Sequence, residues 1–149
     1  MHLAGPDGSF DLTILDYQFP ELAAKPYDSN WLLVRAAVKH PRGSWTATDP
    51  CLLTYEAVAL AEWLDAVAAG TAADAGQSFL EPCLSLELRE GPGEGLVLRV
   101  YFQHEFRPPW ALDLDDEAVL EVSAHADALR GAATALRAQL RAFPQRTER

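Results

Sequence analysis

Apolar and polar residues alternate along several segments of the chain, and this two-residue period is typical of half-buried β-strands. Residues 10–14 alternate first, and the phase slips at Leu15, which predicts a bulge or bend there. Residues 84–88 and 96–102 alternate in the same way on either side of the turn-forming residues 90–95 (EGPGEG). These last two strands are therefore predicted to pair as an antiparallel hairpin.

A more continuous apolar run, residues 31–38 (WLLVRAAV), predicts a strand that is covered on both faces. The turn formers 28–30 (DSN) precede it, and residues 40–43 (HPRG) follow it with Pro and Gly in the places that a type I turn favours. Residues 44–48 then alternate and predict the next strand, because Thr and Trp suit a pleated surface. A shorter strand is predicted over residues 119–123.

After the strand at residues 44–48, apolar residues recur with the 3.6-residue period of an amphipathic helix. We expect this helix to begin with Thr54 as its N-cap, or alternatively at Asp49-Pro50, and to end at Gly70. Leu64 lies at the centre of its apolar stripe, whereas Trp63 lies toward the edge and is expected to be only partly buried. The stripe consists of Leu53, Ala57, Leu60, Leu64 and Val67.

A second helix is predicted from about Ala126 to Pro144, which cannot continue it. Its apolar stripe consists of Leu129, Ala133, Leu136, Leu140 and Phe143. Residues 2–9 are rich in Gly and polar residues and predict a loop or a loosely ordered end. Residues 71–78 (TAADAGQS) are small and polar and predict a surface loop.

The predicted element order is β-β-β-α-β-β-β-α, which suggests two similar halves. Short turns between successive strands favour an α+β fold with a single antiparallel sheet of about six strands and both helices packed on one face. The 149 residues are sufficient for one domain, 1–149, with residues 1–8 and 144–149 expected to be loosely ordered. The far face of the sheet is predicted to carry a candidate interaction surface: Arg35, Glu87, Arg89, Arg99 and Tyr101.

The chain is strongly acidic, with 22 Asp and Glu against 12 Lys and Arg and a formal charge of −10. Residues 125–149 hold five arginines against two acids, so the first 124 residues carry −13 of that total. This charge disfavours nucleic acid and anionic membranes and favours a basic protein partner, although solubility alone would also explain it. No apolar run reaches the ~20 residues of a membrane span, and no signal peptide is evident, so we expect a cytoplasmic protein.

Cys51 and Cys83 lie in apolar contexts and are expected to be buried, reduced thiols. A nucleophilic thiol is the alternative, but it would need a basic or imidazole neighbour, and neither cysteine has one nearby in the sequence. The four histidines have no metal-ligand spacing, and neither a cofactor nor a metal is predicted. His104 (in QHEFR) could act as a base beside an acid, although a solvated strand end is the simpler interpretation.

The most acidic stretch, Asp113, Asp115, Asp116 and Glu117, follows Trp110. Its D-x-D-D-E spacing resembles part of a calcium loop, but the glycine and the distal Glu of an EF-hand are missing. An exposed aromatic residue beside charge is typical of a binding hot spot, whereas Trp110 could equally fill the core. Solvated loop charges are the simplest interpretation of the four acids, and the sharper prediction is a partner-binding site that consists of Trp110, Asp113, Asp115, Asp116 and Glu117.

Three strings, DSNWLLVR (28–35), GSW (43–45) and DPCLLTYEAVALAEWL (49–64), resemble the small bacterial WapI-type immunity proteins. The resemblance implies a protein that neutralises a partner toxin, typically a nuclease domain, by binding it. It also implies a shared fold, because the matching residues are mostly aromatic, small or turn-forming.

Together with the charge, the resemblance favours an immunity-like binding protein that occludes a basic toxin. Two alternatives stay open at this point: a small enzyme that uses His104 or Cys83, and a structural homodimer that uses the outer face of the sheet.

Overall fold

The computed structural model describes residues 1–22, 27–93 and 95–147. Residue 94 of the predicted turn and residues 148–149 of the predicted loose end lie outside this description. The strands and helices, in chain order, are β1 (His2–Gly5), β2 (Gly8–Tyr17), β3 (Trp31–His40), β4 (Gly43–Leu53), α1 (Thr54–Ala69), β5 (Gly76–Ser78), β6 (Leu84–Glu90), β7 (Leu96–Phe102), β8 (Ala118–Ser123) and α2 (Ala126–Leu140).

The described strands form two antiparallel sheets of four strands each, β1-β2-β3-β4 and β5-β6-β7-β8. The α+β class is confirmed, but the prediction of one six-stranded sheet is wrong. Each half of the chain has the order β-β-β-β-α, so the two similar halves that the pattern suggested are present with one more strand each. The predicted hairpin of β6 and β7 is confirmed, with Leu84 opposite Phe102 and Glu90 opposite Leu96.

The two additional strands lie in segments that were predicted to be loops. Residues 2–5 pair with residues 8–11 across a Pro6-Asp7 turn, and residues 76–78 pair with residues 85–87. Both strands are short edge strands, for which composition is a weak signal because only one side of the backbone is paired. β4 is also longer than predicted and continues through Pro50, with an irregularity in its pairing beside Leu33.

Both sheets contribute to one apolar core that also contains residues of both helices. Phe102 on β7 contacts Phe10 on β2 and Trp45 on β4 edge-to-face, with ring centroids 5.1 Å and 5.6 Å apart. The edge strands β1 and β8 approach closely, because a Cβ on Gly5 would lie only 2.3 Å from the carbonyl oxygen of Glu121. Two sheets that share a core can bury the inner faces of eight strands, which two helices on a single sheet could not cover.

Strands β2 and β3 show how this core selects one face of each strand. Along β3, alternate residues from Leu32 to Val38 are buried and Arg35 is exposed, so the prediction that both faces are covered is wrong. The phase slip in β2 is confirmed as a bulge between Ile14 and Asp16. The Ile14 N–H donates to Oε1 of Gln139 at 2.7 Å, so a side chain of α2 satisfies the irregular backbone.

Helix α1 begins at Thr54 and ends at Gly70, where φ is +72°. The ending is confirmed, but both predicted starts are wrong, because Leu53 is the N-cap residue and Asp49-Pro50 lies within β4. The carboxylate of Glu56 accepts the Leu53 N–H at 3.0 Å in place of a capping hydroxyl.

Trp63 is buried rather than partly exposed. Only 6% of its surface is accessible, because the loop after α1 folds over it and the carbonyl of Asp74 accepts the indole N–H at 2.9 Å. Helix α2 begins at Ala126 as predicted and packs against α1, β1 and β2. In the described part of the chain, neither helix has the length and apolar character needed to cross a membrane.

A buried polar cluster joins three distant segments near the start of α1. The side-chain oxygen of Asn30 accepts the Thr54 hydroxyl at 2.8 Å and the Arg146 N–H at 2.7 Å. The side-chain amide of Asn30 donates to the Arg146 carbonyl at 2.8 Å. The Arg146 guanidinium lies over the ring of Tyr17, with its Cζ 3.6 Å from the centroid. The predicted N-cap hydroxyl of Thr54 is therefore used to bind Asn30.

Candidate functional site

Trp110 lies in an aromatic cluster at the β3–β4 turn. Its ring contacts Trp45 edge-to-face at 5.2 Å and His40 at 5.9 Å, and the Arg42 guanidinium lies 5.3 Å from its centroid. Gly43, with φ +147°, makes room for the indole, because a Cβ there would meet the Trp110 ring at 3.0 Å. Trp110 is thus partly buried against the core, with one part of its ring still accessible.

Residues 110–117, from Trp110 to Glu117, form a largely exposed loop that we call the acidic loop. The side chain of Asp116 accepts the N–H groups of Leu112 and Asp113 at 3.2 and 3.3 Å, and this holds the loop in one shape. The side chain of Gln103 donates to the Glu117 carboxylate at 2.8 Å. The four predicted acidic residues are all solvent-exposed: Asp113, Asp115, Asp116 and Glu117.

The predicted site residues, which are neighbours in the chain, lie on this loop in two different settings. Trp110, Asp116 and Glu117 hold the loop in place, whereas Asp113 and Asp115 extend into solvent. Leu112 and Leu114, which the sequence interpretation passed over, are 87% and 53% exposed between the acids. The loop therefore offers negative charge and accessible apolar surface at the same place. Within the described residues, no group of three or more His, Cys, Asp or Glu side chains could hold a metal ion.

A second acidic feature lies beside β4 and was not visible in the sequence. Burial raises the pKa of the Asp49 carboxyl, and the nearby charges of Glu105 and Glu81 raise it further. These three acids come from β4, from the short 3-10 helix after β7, and from the segment before β6. We call them the β4 acid cluster. A cleft of about 300 Å3, lined in part by Glu105, Trp45 and Ala111, connects this region to the acidic loop.

The two thiols lie next to this cluster. Both are free and buried, at 0% exposure for Cys51 and 1% for Cys83. A hydrogen bond with the Cys51 thiol lowers the pKa of Cys83, and the same bond together with burial raises the pKa of Cys51. The Cys83 sulfur is 3.9 Å from a carboxylate oxygen of Asp49. A carboxylate cannot replace the imidazole or cation that activates a nucleophilic thiol.

His104 adopts a left-handed backbone conformation, with φ +48°, in the 3-10 helix from His104 to Phe106. Its carbonyl accepts the Arg107 guanidinium at 2.8 Å. The backbone of His104 therefore forms part of a tight turn at the end of β7.

The candidate interaction surface on the outer sheet face is divided between the two sheets. Arg35 lies on β3 in the first sheet, so the prediction that it shares a face with the other four residues is wrong. On the second sheet, the Tyr101 hydroxyl donates to Glu87 at 2.7 Å and Arg99 pairs with Glu121 at 3.1 Å. These polar side chains largely satisfy one another across the strands, as cross-strand pairs on a solvated sheet face commonly do.

The chain matches the model of a known protein family. No curated protein and no solved structure matches the chain. The family model described as the immunity protein WapI-like family matches residues 2–144, which include both sheets, both helices and the acidic loop. Because this match spans nearly the whole chain, the protein belongs to the WapI-like immunity protein family.

Proposed function

We propose that this protein is the cytoplasmic immunity partner of a basic toxin, which it neutralises by binding and covering its surface. Membership of the family supports a toxin as the partner, and the formal charge of −10 supports a basic one. The exposed acidic loop is the observation that supports this location for the site. The side chains of Asp116 and Glu117 hold the loop in its shape. A loop that is already ordered loses less entropy on binding than a flexible one.

In this proposal Asp113, Asp115, Asp116 and Glu117 attract the toxin, and Trp110 supports the loop from beneath. Exposed charges act mainly on the rate of association, because they attract an oppositely charged partner over a distance that salt shortens. Neither His104 nor Cys83 takes part in a reaction in this function. Family membership and the position of both residues in the fold support binding rather than catalysis.

The test is the double reversal Asp113→Lys and Asp115→Lys, with Asp116 left intact because its side chain shapes the loop. Association with the product of an adjacent toxin-like gene is measured by stopped-flow at two ionic strengths. We expect about tenfold slower association at low salt, a flatter salt dependence and little change in dissociation. The unfolding midpoint should stay unchanged, since exposed charges contribute little to stability.

A matched control separates the acidic loop from the overall charge. The double reversal Glu90→Lys and Asp127→Lys changes two exposed acids elsewhere by the same total charge. The acidic loop is refuted as the site if both double variants slow association equally, or if neither changes the kinetics at either salt concentration.

A further inference from the structure

The outward side of helix α1 is apolar, which is unusual for a helix on a protein surface. Among its exposed positions Glu62 is the only charged residue, while Tyr55 and Val58 are exposed to 38% and 42%. Helix α2 provides the comparison within the same molecule, because its exposed positions include Asp127 and two arginines. Solvent exposure alone therefore does not explain the composition of α1.

The apolar surface continues beyond the helix. Leu80 is 58% exposed and lies beside the first turn of α1, where its N–H donates to Glu56 at 2.8 Å. Tyr27 is 60% exposed, and burial together with the neighbouring Tyr27 hydroxyl raises the pKa of Tyr55 to about 12. Half of the eight large apolar side chains exposed in the described part of the chain therefore meet here. We call this surface the α1 patch: Tyr27, Tyr55, Val58 and Leu80.

Each residue of the α1 patch has an acid as its nearest charged neighbour along the chain, namely Asp28, Glu56 or Glu81, and Glu62 lies one turn beyond Val58, whereas Lys25 precedes Tyr27 by two residues. An apolar centre with a charged rim is the usual anatomy of a protein–protein interface. A second copy of this chain is a poor occupant, because a twofold dimer through the α1 patch would place the same acidic rim against itself. The charge instead complements a partner that surrounds an apolar area with lysine and arginine.

The position of the α1 patch relative to the acidic loop supports one common interface. Glu81 borders the patch, and with Asp49 and Glu105 it forms the β4 acid cluster, which leads along β4 toward Trp45 and the loop. From Trp45 to Leu53 the strand covers about 26 Å. A protein interface of ordinary size covers about 800 Å2 on each partner, a disc about 30 Å across. The length of β4 between the two regions therefore lies within the width of one ordinary interface.

We propose that the α1 patch is the apolar centre of the surface that binds the basic toxin, with the β4 acid cluster and the acidic loop on its charged side. This inference rests on the proposed function and adds the residues that hold the complex together. The loop governs the rate of encounter, whereas burial of Leu80, Val58 and the two tyrosines governs dissociation, since buried apolar groups act only at contact.

Three leucines of nearly equal exposure make a matched test: Leu80 at 58%, Leu114 at 53% and Leu96 at 52%. They lie at the α1 patch, on the acidic loop and at the start of β7. Each is changed to Ser, and binding to the product of the adjacent toxin-like gene is measured by surface-based kinetics. We expect Leu80→Ser to raise Kd about tenfold, mainly through faster dissociation that does not depend on salt, and adding Val58→Ser to raise it further. Leu96→Ser should bind like the wild type.

Each outcome is decisive. The inference is overturned if the wild type binds and Leu80→Ser binds equally well, or if Leu114→Ser weakens binding while Leu80→Ser does not. It is also overturned if sedimentation shows a wild-type dimer that Leu80→Ser disperses, because the occupant is then a second copy. If the wild type does not bind the toxin at all, the proposed function fails and the inference fails with it. Unchanged denaturation midpoints confirm that each variant is folded.

Discussion

The polar cluster around Asn30 makes a quantitative prediction about stability. Asn30 is 1% exposed, and its side-chain contacts with described residues include three hydrogen bonds, one with the Thr54 hydroxyl and two with the backbone of Arg146. Each buried bond contributes about 1 kcal/mol net, and a partner left unpaired costs about 1–3 kcal/mol. Asn30→Ala should therefore lower the free energy of unfolding by about 2–4 kcal/mol, with part of the loss recovered by water entering the space.

Urea denaturation followed by tryptophan fluorescence measures this change. Asp28→Ala is the matched control, because Asp28 lies in the same short 3-10 helix but is exposed, and a change within about 0.5 kcal/mol is expected. Adding Thr54→Val to Asn30→Ala should cost less than the sum of the single changes, since the two side chains share a bond. A loss below about 1 kcal/mol for Asn30→Ala, or one no larger than that of the control, would refute the reasoning.

Three further predictions follow from burial and charge. Leu64→Ala, at a fully buried position of α1, should cost about 2–5 kcal/mol, whereas Val58→Ala on the exposed side should change stability by less than about 0.5 kcal/mol; urea denaturation compares them. Burial raises the pKa of Asp49 in the folded state, so its ionisation weakens the fold above that pKa and has no effect below the unfolded value of 3.8. Asp49→Asn should therefore raise the melting temperature at pH 7, and the gain should shrink as the pH falls toward 4; no gain at pH 7 would contradict this. Cys51 and Cys83 should react with a thiol reagent slowly in the native protein and quickly after denaturation, and rapid native labelling of Cys83 would show that its burial is not maintained.

The elements that the sequence predicts well are those whose signal is local. The hairpin of β6 and β7, the bulge after Ile14 and the ends of α1 and α2 at Gly70 and Ala126 depend on residues within one or two turns of each other. The number of sheets has no such local signal, because it depends on contacts between residues that are far apart in the chain, such as Phe10 and Phe102. The burial of Trp63 was underestimated for the same reason, because the loop that covers this side chain lies after the helix.

The candidate surfaces also differ in whether neighbouring residues or distant segments form them. The acidic loop could be predicted because its acids are adjacent in the chain, whereas Asp49, Glu81 and Glu105 come from three separate segments. The outward side of α1 did carry a local signal, because Tyr55 and Val58 lie away from the apolar stripe on an otherwise apolar helix. A surface helix whose exposed side is mostly apolar predicts a partner that covers it.

The shared core also sets the order in which the protein can fold on the ribosome. Trp45, in the first half, packs against Phe102 and donates its indole N–H to the carbonyl of Phe106, both in the second half. At about 5–20 residues per second, translation needs about 3–12 s to reach those residues after Trp45 is made. During that interval the inner face of the first sheet has no second sheet to cover it. The nascent first half is therefore exposed to aggregation, and chaperones that bind extended apolar strands should associate with it before the second half is complete.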